Sequence, residues 1–216
     1  YYAENVNGEW KDIKPVPFND REYSTSHPAL SPDGSTLYFT SDRPGGKGQA
    51  DIYKVSISKD GTFGTPVNLG DNINTEGKEG FPYVDFNGTL YFSSDAHLGM
   101  GGLDVFAAAA NGDGFGEVRN LGLGVNSSDD DFAFVYYPAT EEGYVSSNRK
   151  GGKGSDDIYK IQKIQSCELL VMVVDSETGE ALPNARLDLF DNRENKLKSQ
   201  NTDANGKGTL AVACNQ

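Results

Sequence analysis

The sequence predicts an all-β protein assembled from repeated four-stranded units, and three observations carry that prediction. Glycine and proline number 26 and 9 among 216 residues, against only 2 methionines, and both residue types break helices and punctuate short strands. No stretch sustains the apolar period of a helix. The same words also return at a constant step of 53 residues, as Leu37-Tyr-Phe-Thr-Ser-Asp42, Leu90-Tyr-Phe-Ser-Ser-Asp95 and Gly143-Tyr-Val-Ser-Ser-Asn148.

The first unit shows what each repeat should contain. A strand near His27–Leu30 meets Ser31-Pro-Asp-Gly34, where proline presets φ and Asp-Gly reverses the chain. Leu37–Ser41 is bulky and β-prone and forms the second strand. A glycine-rich loop leads to the third, Asp51–Ile57, and after Lys59-Asp-Gly61 a short fourth runs through Thr65 to Leu69. The triplets Asp51-Ile-Tyr53, Asp104-Val-Phe106 and Asp157-Ile-Tyr159 keep the 53-residue step. Phe63-Gly-Thr-Pro-Val-Asn-Leu-Gly70 is answered by Phe115-Gly-Glu-Val-Arg-Asn-Leu-Gly122, and Trp10 fills the same aromatic slot.

A four-stranded unit of about 50 residues with an aromatic signature is the pattern of a propeller blade, which buries its faces only against neighbouring blades. Residues 1–163 are therefore read as a partial β-propeller of three four-stranded blades. Rings hold roughly four to eight blades, so further blades are expected upstream, and Tyr1–Trp10 reads as the tail of one. With no initiating Met, the chain is expected to be part of a longer polypeptide.

The formal charge of −13, from 32 acidic against 19 basic side chains, opposes nucleic acid and anionic lipid, both of which need positive potential on the protein. The longest apolar run, Leu169–Val174, is strand-sized and leaves no room for a membrane span.

Ser31-Pro-Asp-Gly34 with Leu37-Tyr-Phe-Thr-Ser-Asp42 and Asp51-Ile-Tyr53 resembles the PD-type β-propeller repeat, related to WD repeats and found in TolB and in many outer-membrane-associated proteins of Bacteroidota. The later copies depart from it: Asp85-Phe-Asn-Gly88 lacks the proline, and Tyr137–Gly143 has a longer turn. After Lys163 the style changes. The stretch from Val173-Val-Asp-Ser-Glu-Thr-Gly179 through Leu182-Pro-Asn-Ala185 to Thr202-Asp-Ala-Asn-Gly206 resembles the carboxypeptidase-regulatory-like module. That resemblance implies a small transthyretin-like β-sandwich over 164–216, which is expected to be truncated here, since such sandwiches usually need more than about 50 residues to bury both sheets.

The domain order resembles the middle of the PorE-type OmpA-family peptidoglycan-associated lipoproteins of the type IX secretion and gliding machinery. It implies a periplasmic, outer-membrane-associated, non-enzymatic scaffold. Its partners would be other secretion or gliding proteins, and peptidoglycan through a domain outside this chain. Two other readings fit a propeller: a carbohydrate or cell-wall recognition module using the central funnel, and the regulatory propeller of a larger peptidase.

The chemical motifs are sparse. Ser41-Asp-Arg-Pro-Gly-Gly-Lys-Gly48 looks like a phosphate cradle, and ten of its fourteen positions through Lys54 recur in Ser147–Lys160. A phosphate loop needs Gly-Lys followed by Ser or Thr and then a helix. Here Gly48 follows Lys47, a strand follows, and Met100 stands at the lysine position of the middle copy. A hairpin loop is the better reading, and no cofactor is expected.

The aspartates Asp42, Asp51, Asp95, Asp104 and Asp157 are the polar constants of the repeat. They are read as structural, accepting loop amides or pairing with Arg43 or Arg149. Calcium ligation, with help from Asp129-Asp-Asp131, is the alternative, but the spacing of a calcium loop is missing. The only histidines are His27 and His97, no G-x-S-x-G elbow occurs, and no set of ligands for zinc is evident. Neither a catalytic nor a metal site is expected. Cys167 and Cys214 bracket the C-terminal segment, and a disulfide between them would close a 47-residue loop, worth about 4 kcal/mol on the chain-entropy account in an oxidising periplasm.

Overall fold

In the computed structural model, which describes residues 1–163, 167–191 and 194–212, all regular structure is β and no helix occurs among those residues. The chain divides into two compact units, Tyr1–Gln162 and Lys163–Gln216.

The N-terminal unit opens with a hairpin, β1 (Tyr2–Val6) and β2 (Glu9–Lys14), reversed at Asn7-Gly8. Three antiparallel sheets follow in sequence. The first is β3 (Thr25–Leu30), β4 (Thr36–Ser41), β5 (Asp51–Ser56) and β6 (Val67–Asn68), side by side in chain order. The second repeats that order with β7 (Glu79–Val84), β8 (Leu90–Ser94), β9 (Asp104–Asn111) and β10 (Gly114–Asn120). The third holds β11 (Asp131–Tyr137), β12 (Glu142–Ser147) and β13 (Asp157–Gln162). Of the four strands expected of this copy, three are present among the described residues, where no fourth strand pairs with β13.

The first strand of every sheet is longer than its sequence announces, because a bulge interrupts the alternation of side chains. Register slips between Ser26 and Ala29, between Gly80 and Tyr83, and between Phe132 and Val135. At each slip one non-glycine residue takes a left-handed backbone, His27 at φ 48°, Phe81 at 53° and Ala133 at 52°.

The turn after β3 forms as its residues dictate. Gly34 takes φ 70°, and the Asp33 carboxylate accepts from Ser31 Oγ at 2.6 Å and Ser35 N–H at 3.0 Å, which lowers its pKa to about 2. The second copy keeps this turn without the proline: Asp85 accepts from Asn87 N–H and Thr89 N–H, both at 2.9 Å.

The core lies between sheets rather than within them. Ile52 of the first sheet packs with Leu90, Phe92 and Phe106 of the second. Val105 of the second packs with Phe134 and Val145 of the third. On the opposite face of the first sheet, Phe39, Tyr53 and Val55 pack with Phe18 and Phe63. Each such fully buried side chain contributes about 1.5–3 kcal/mol, so a sheet is stable only beside its neighbour.

In the C-terminal unit β14 (Cys167–Met172) pairs with β17 (Lys207–Val212), and β15 (Arg186–Phe190) with β16 (Lys196–Asn201). Asp203 accepts from Asn205 N–H and Lys207 N–H, both at 2.8 Å, making the Asp203–Gly206 stretch an Asx turn. Cys167 stands opposite Val212 in the ladder. The expected Cys167–Cys214 bond falls on Cys214, which lies outside the described residues.

Candidate functional site: glycine-rich loops and asparagine clamps

The three aspartates that begin the third strands do one job. Asp51 accepts from the N–H groups of Lys47 and Gly48, at 2.5 and 2.9 Å. Asp104 does the same for Met100 and Gly101, at 2.8 and 2.9 Å, and Asp157 for Lys153 and Gly154, at 2.7 and 3.0 Å. A carboxylate that accepts two amides three and four residues upstream folds the glycine-rich loop back onto its own strand. The side chain at the lysine position has no part in this, so Met100 serves as well as Lys47.

Asp42 and Asp95 hold the neighbouring strand entry. Asp42 accepts Ser24 N–H at 2.6 Å and Asp95 accepts Lys78 N–H at 2.7 Å, and Asn148 accepts Asp130 N–H at 2.7 Å in the third copy. The arginines that follow do not pair with the loop aspartates. Arg43 lies over the rings of Tyr23, Phe39 and Tyr53, each 5.0 Å away. Arg149 pairs with buried Asp131 at 2.5 Å and lies over Tyr159. Among the described residues no three His, Cys, Asp or Glu side chains converge as a metal site would require.

At two of their glycines the loops press against the backbone of the following segment. A Cβ on Gly48 would run into the carbonyls of Thr75 and Gly77, and one on Gly101 into that of Asp129. These glycines are close-approach points where one repeat's loop lies against the next.

Sequence reading missed the most deeply placed polar groups. Asn74, fully buried, accepts the Ile52 N–H at 2.8 Å and donates to the Ile52 carbonyl at 3.0 Å. Asn126 closes on Val105 in the same way, at 2.8 and 2.9 Å. Each also donates to a second asparagine, Asn68 or Asn120. The signal was present as Asn68-Leu-Gly-Asp-Asn-Ile-Asn74 and Asn120-Leu-Gly-Leu-Gly-Val-Asn126, visible once the linking text is followed four residues past its last glycine. Two buried acids complete the frame: Glu79 is held by Thr75 and Ser94, and Asp131 by Ser127 and Arg149.

Both histidines are taken up by packing. His27 stacks on Phe81 with centroids 3.8 Å apart, and Phe81 lies 5.0 Å from Phe132. Burial lowers the His27 pKa. His97 contacts the Ile73 carbonyl at 2.9 Å and packs on Phe106. An apolar cavity of about 490 Å³ lies against the first sheet, lined by Tyr2, Val16, Phe18, Leu37, Phe39 and Phe63 among others. The loops expose large apolar side chains, with Leu98 at 95%, Leu123 at 84% and Phe86 at 79%.

No family model and no curated protein matches the chain. Among solved structures it is similar to "Bacteroides ovatus Xyloglucan PUL GH43B", with 23% identity and a TM-score of 0.39 over 64% of this chain. The chain spans 27% of that protein's length. The expectation that this protein is not an enzyme is withdrawn here, since the name of that structure carries the designation GH43. At this level of similarity the likeness assigns no activity or substrate to the chain.

Proposed function

We propose that the three sheets of the N-terminal unit are consecutive blades of a β-propeller, and that the chain acts as a protein-interaction module. In this reading it is periplasmic and outer-membrane-associated, and it brings together components of a type IX secretion or gliding machinery. The C-terminal unit is its transthyretin-like companion. One observation carries the interaction role. The aspartates that stay constant through the three repeats, Asp51, Asp104 and Asp157, and the asparagine pairs shared by the first two are bonded within the frame. The exposed apolar residues Phe86, Leu98 and Leu123 stand where the corresponding residues of the first repeat are Pro32, Gly45 and Asp71. A constant frame with variable apolar loops is how a repeat scaffold presents distinct contacts. The compartment and the machinery rest on the resemblance in domain order.

Affinity capture from an outer-membrane fraction of a gliding Bacteroidota cell tests the role. The expected result is a defined set of outer-membrane and periplasmic proteins, depleted when Leu98 and Leu123 are changed to aspartate. Recovery of no partner, or of the same set by that variant, overturns it.

A further inference from the structure

The second repeat rewrites its solvent face where the first carries an ion pair. Lys47, in the first glycine-rich loop, pairs with Asp71 of the linker that follows, at 3.2 Å. The frame around these two positions recurs: Asp104 holds the amides of Met100 and Gly101 as Asp51 holds those of Lys47 and Gly48, and Asn120 accepts Gly122 N–H as Asn68 accepts Gly70 N–H. Met100 and Leu123 therefore take the places of the ion pair. Asn120 also donates to the Leu98 carbonyl at 3.4 Å, which clips loop to linker. Leu98 and Leu123 are almost wholly exposed, and Met100 is 40% exposed. This exposure is not an unfilled contact between sheets. The second sheet has a neighbour on each side, packing with Ile52 of the first and with Phe134 and Val145 of the third, and the matching face of the first repeat holds a solvent-exposed ion pair. Apolar side chains gathered at such a place mark a contact surface.

Charge identifies what fits there. Arg43 and Lys47 of the first loop become Ala96 and Met100 in the second, and where the first linker has Gly77-Lys78 the second has Asp129-Asp130. No Lys or Arg occurs in 95–104 or 121–131, and Asp129 and Asp130 lie against Gly101 and Gly102, beside Met100. We infer that the loops carrying Leu98, Met100 and Leu123 receive a cationic amphipathic segment of a partner protein. Its apolar side chains cover these three residues, and its Lys or Arg side chains meet Asp129 and Asp130. A second copy of this chain is the wrong occupant, since each copy carries a formal charge of −13. The site rests on the interaction role proposed above and adds the partner's chemistry to it.

An array of short synthetic peptides graded in net charge and apolar content, probed with the labelled 216-residue chain, tests this. The retained peptides should combine Lys or Arg with apolar residues, and their binding should weaken as salt is raised. The decisive variant carries Met100→Lys with Leu123→Asp, which restores the ion pair of the first repeat in a frame that already accepts it and leaves the net charge unchanged. Its dissociation constant for the tightest retained peptide should rise about tenfold or more. Leu98→Ser, at an exposed position, should shift it in the same direction, and Asp129→Asn should raise it about twofold to fivefold. Retention of no peptide, retention regardless of peptide charge, or equal binding by the Met100→Lys, Leu123→Asp chain overturns the inference. Such a failure beside a positive capture experiment removes the cationic chemistry and leaves the interaction role standing. A failed capture beside a positive array removes the cellular role and leaves this site.

Discussion

Asn74 grips Ile52 across 22 positions of sequence, accepting its N–H at 2.8 Å and donating to its carbonyl at 3.0 Å. One side chain thereby satisfies both outward backbone groups of a fully buried strand residue, where water does not reach. Removing it leaves a buried donor orphaned and a buried carbonyl short of one partner, each costing about 1–3 kcal/mol. Asn74→Ala is therefore expected to destabilise the N-terminal unit by about 3 kcal/mol, and Asn126→Ala by a similar amount, read from urea unfolding midpoints. Asn74→Asp retains only the acceptor and should recover little of the loss.

In the glycine-rich loops the glycines matter and the conspicuous lysine does not. Gly48→Ala and Gly101→Ala would push a methyl group into backbone carbonyls of the following repeat, and a loss of about 2 kcal/mol is expected. Lys47 forms only an exposed ion pair with Asp71 at 3.2 Å. Lys47→Met should stay within about 0.5 kcal/mol of the parent. A large effect at Lys47 with a small one at Gly48 would reverse the assignment of frame and surface.

His27 sets a pH dependence. Stacked on Phe81 and partly buried, it is held neutral, so its pKa in the folded chain lies below the ordinary 6.5. The unfolded chain then binds the proton more readily. The stabilisation is complete above the unfolded pKa and is lost as pH falls through the folded one. Stability should decline on acidification from neutrality, and His27→Phe, which copies Phe81 at the same backbone conformation, should remove that part of the decline. Parallel unfolding curves at successive pH values, parent against variant, measure it.

The repeat was legible because its constants are written as contiguous words. The step linking Asp51, Asp104 and Asp157 located three strand starts, and Asp33-Gly34 located a turn. What escaped reading depends on contacts between repeats. The asparagine clamps reach 22 and 21 residues back, so neither residue advertises its partner. The bulges at His27, Phe81 and Ala133 break the alternation that would have marked the full first strands. The short third sheet was hidden because its words match the other two up to Lys160, and only the missing Leu-Gly-x-x-(Ile/Val)-Asn text after them shows the difference. Arg43 and Arg149 looked alike in sequence, yet only Arg149 has a buried carboxylate, Asp131, to meet.

If the repeat's constant residues build the frame while the variable apolar loops make the contacts, partners must touch the loops. Site-specific photo-crosslinking in outer-membrane fractions tests this most directly, with the reactive group placed at Leu98, at Leu123, or at exposed Lys59 as the control. Discrete protein adducts from positions 98 and 123, with none from position 59, are predicted. No adducts at 98 and 123, or the same adduct pattern at 59, would contradict that division of labour.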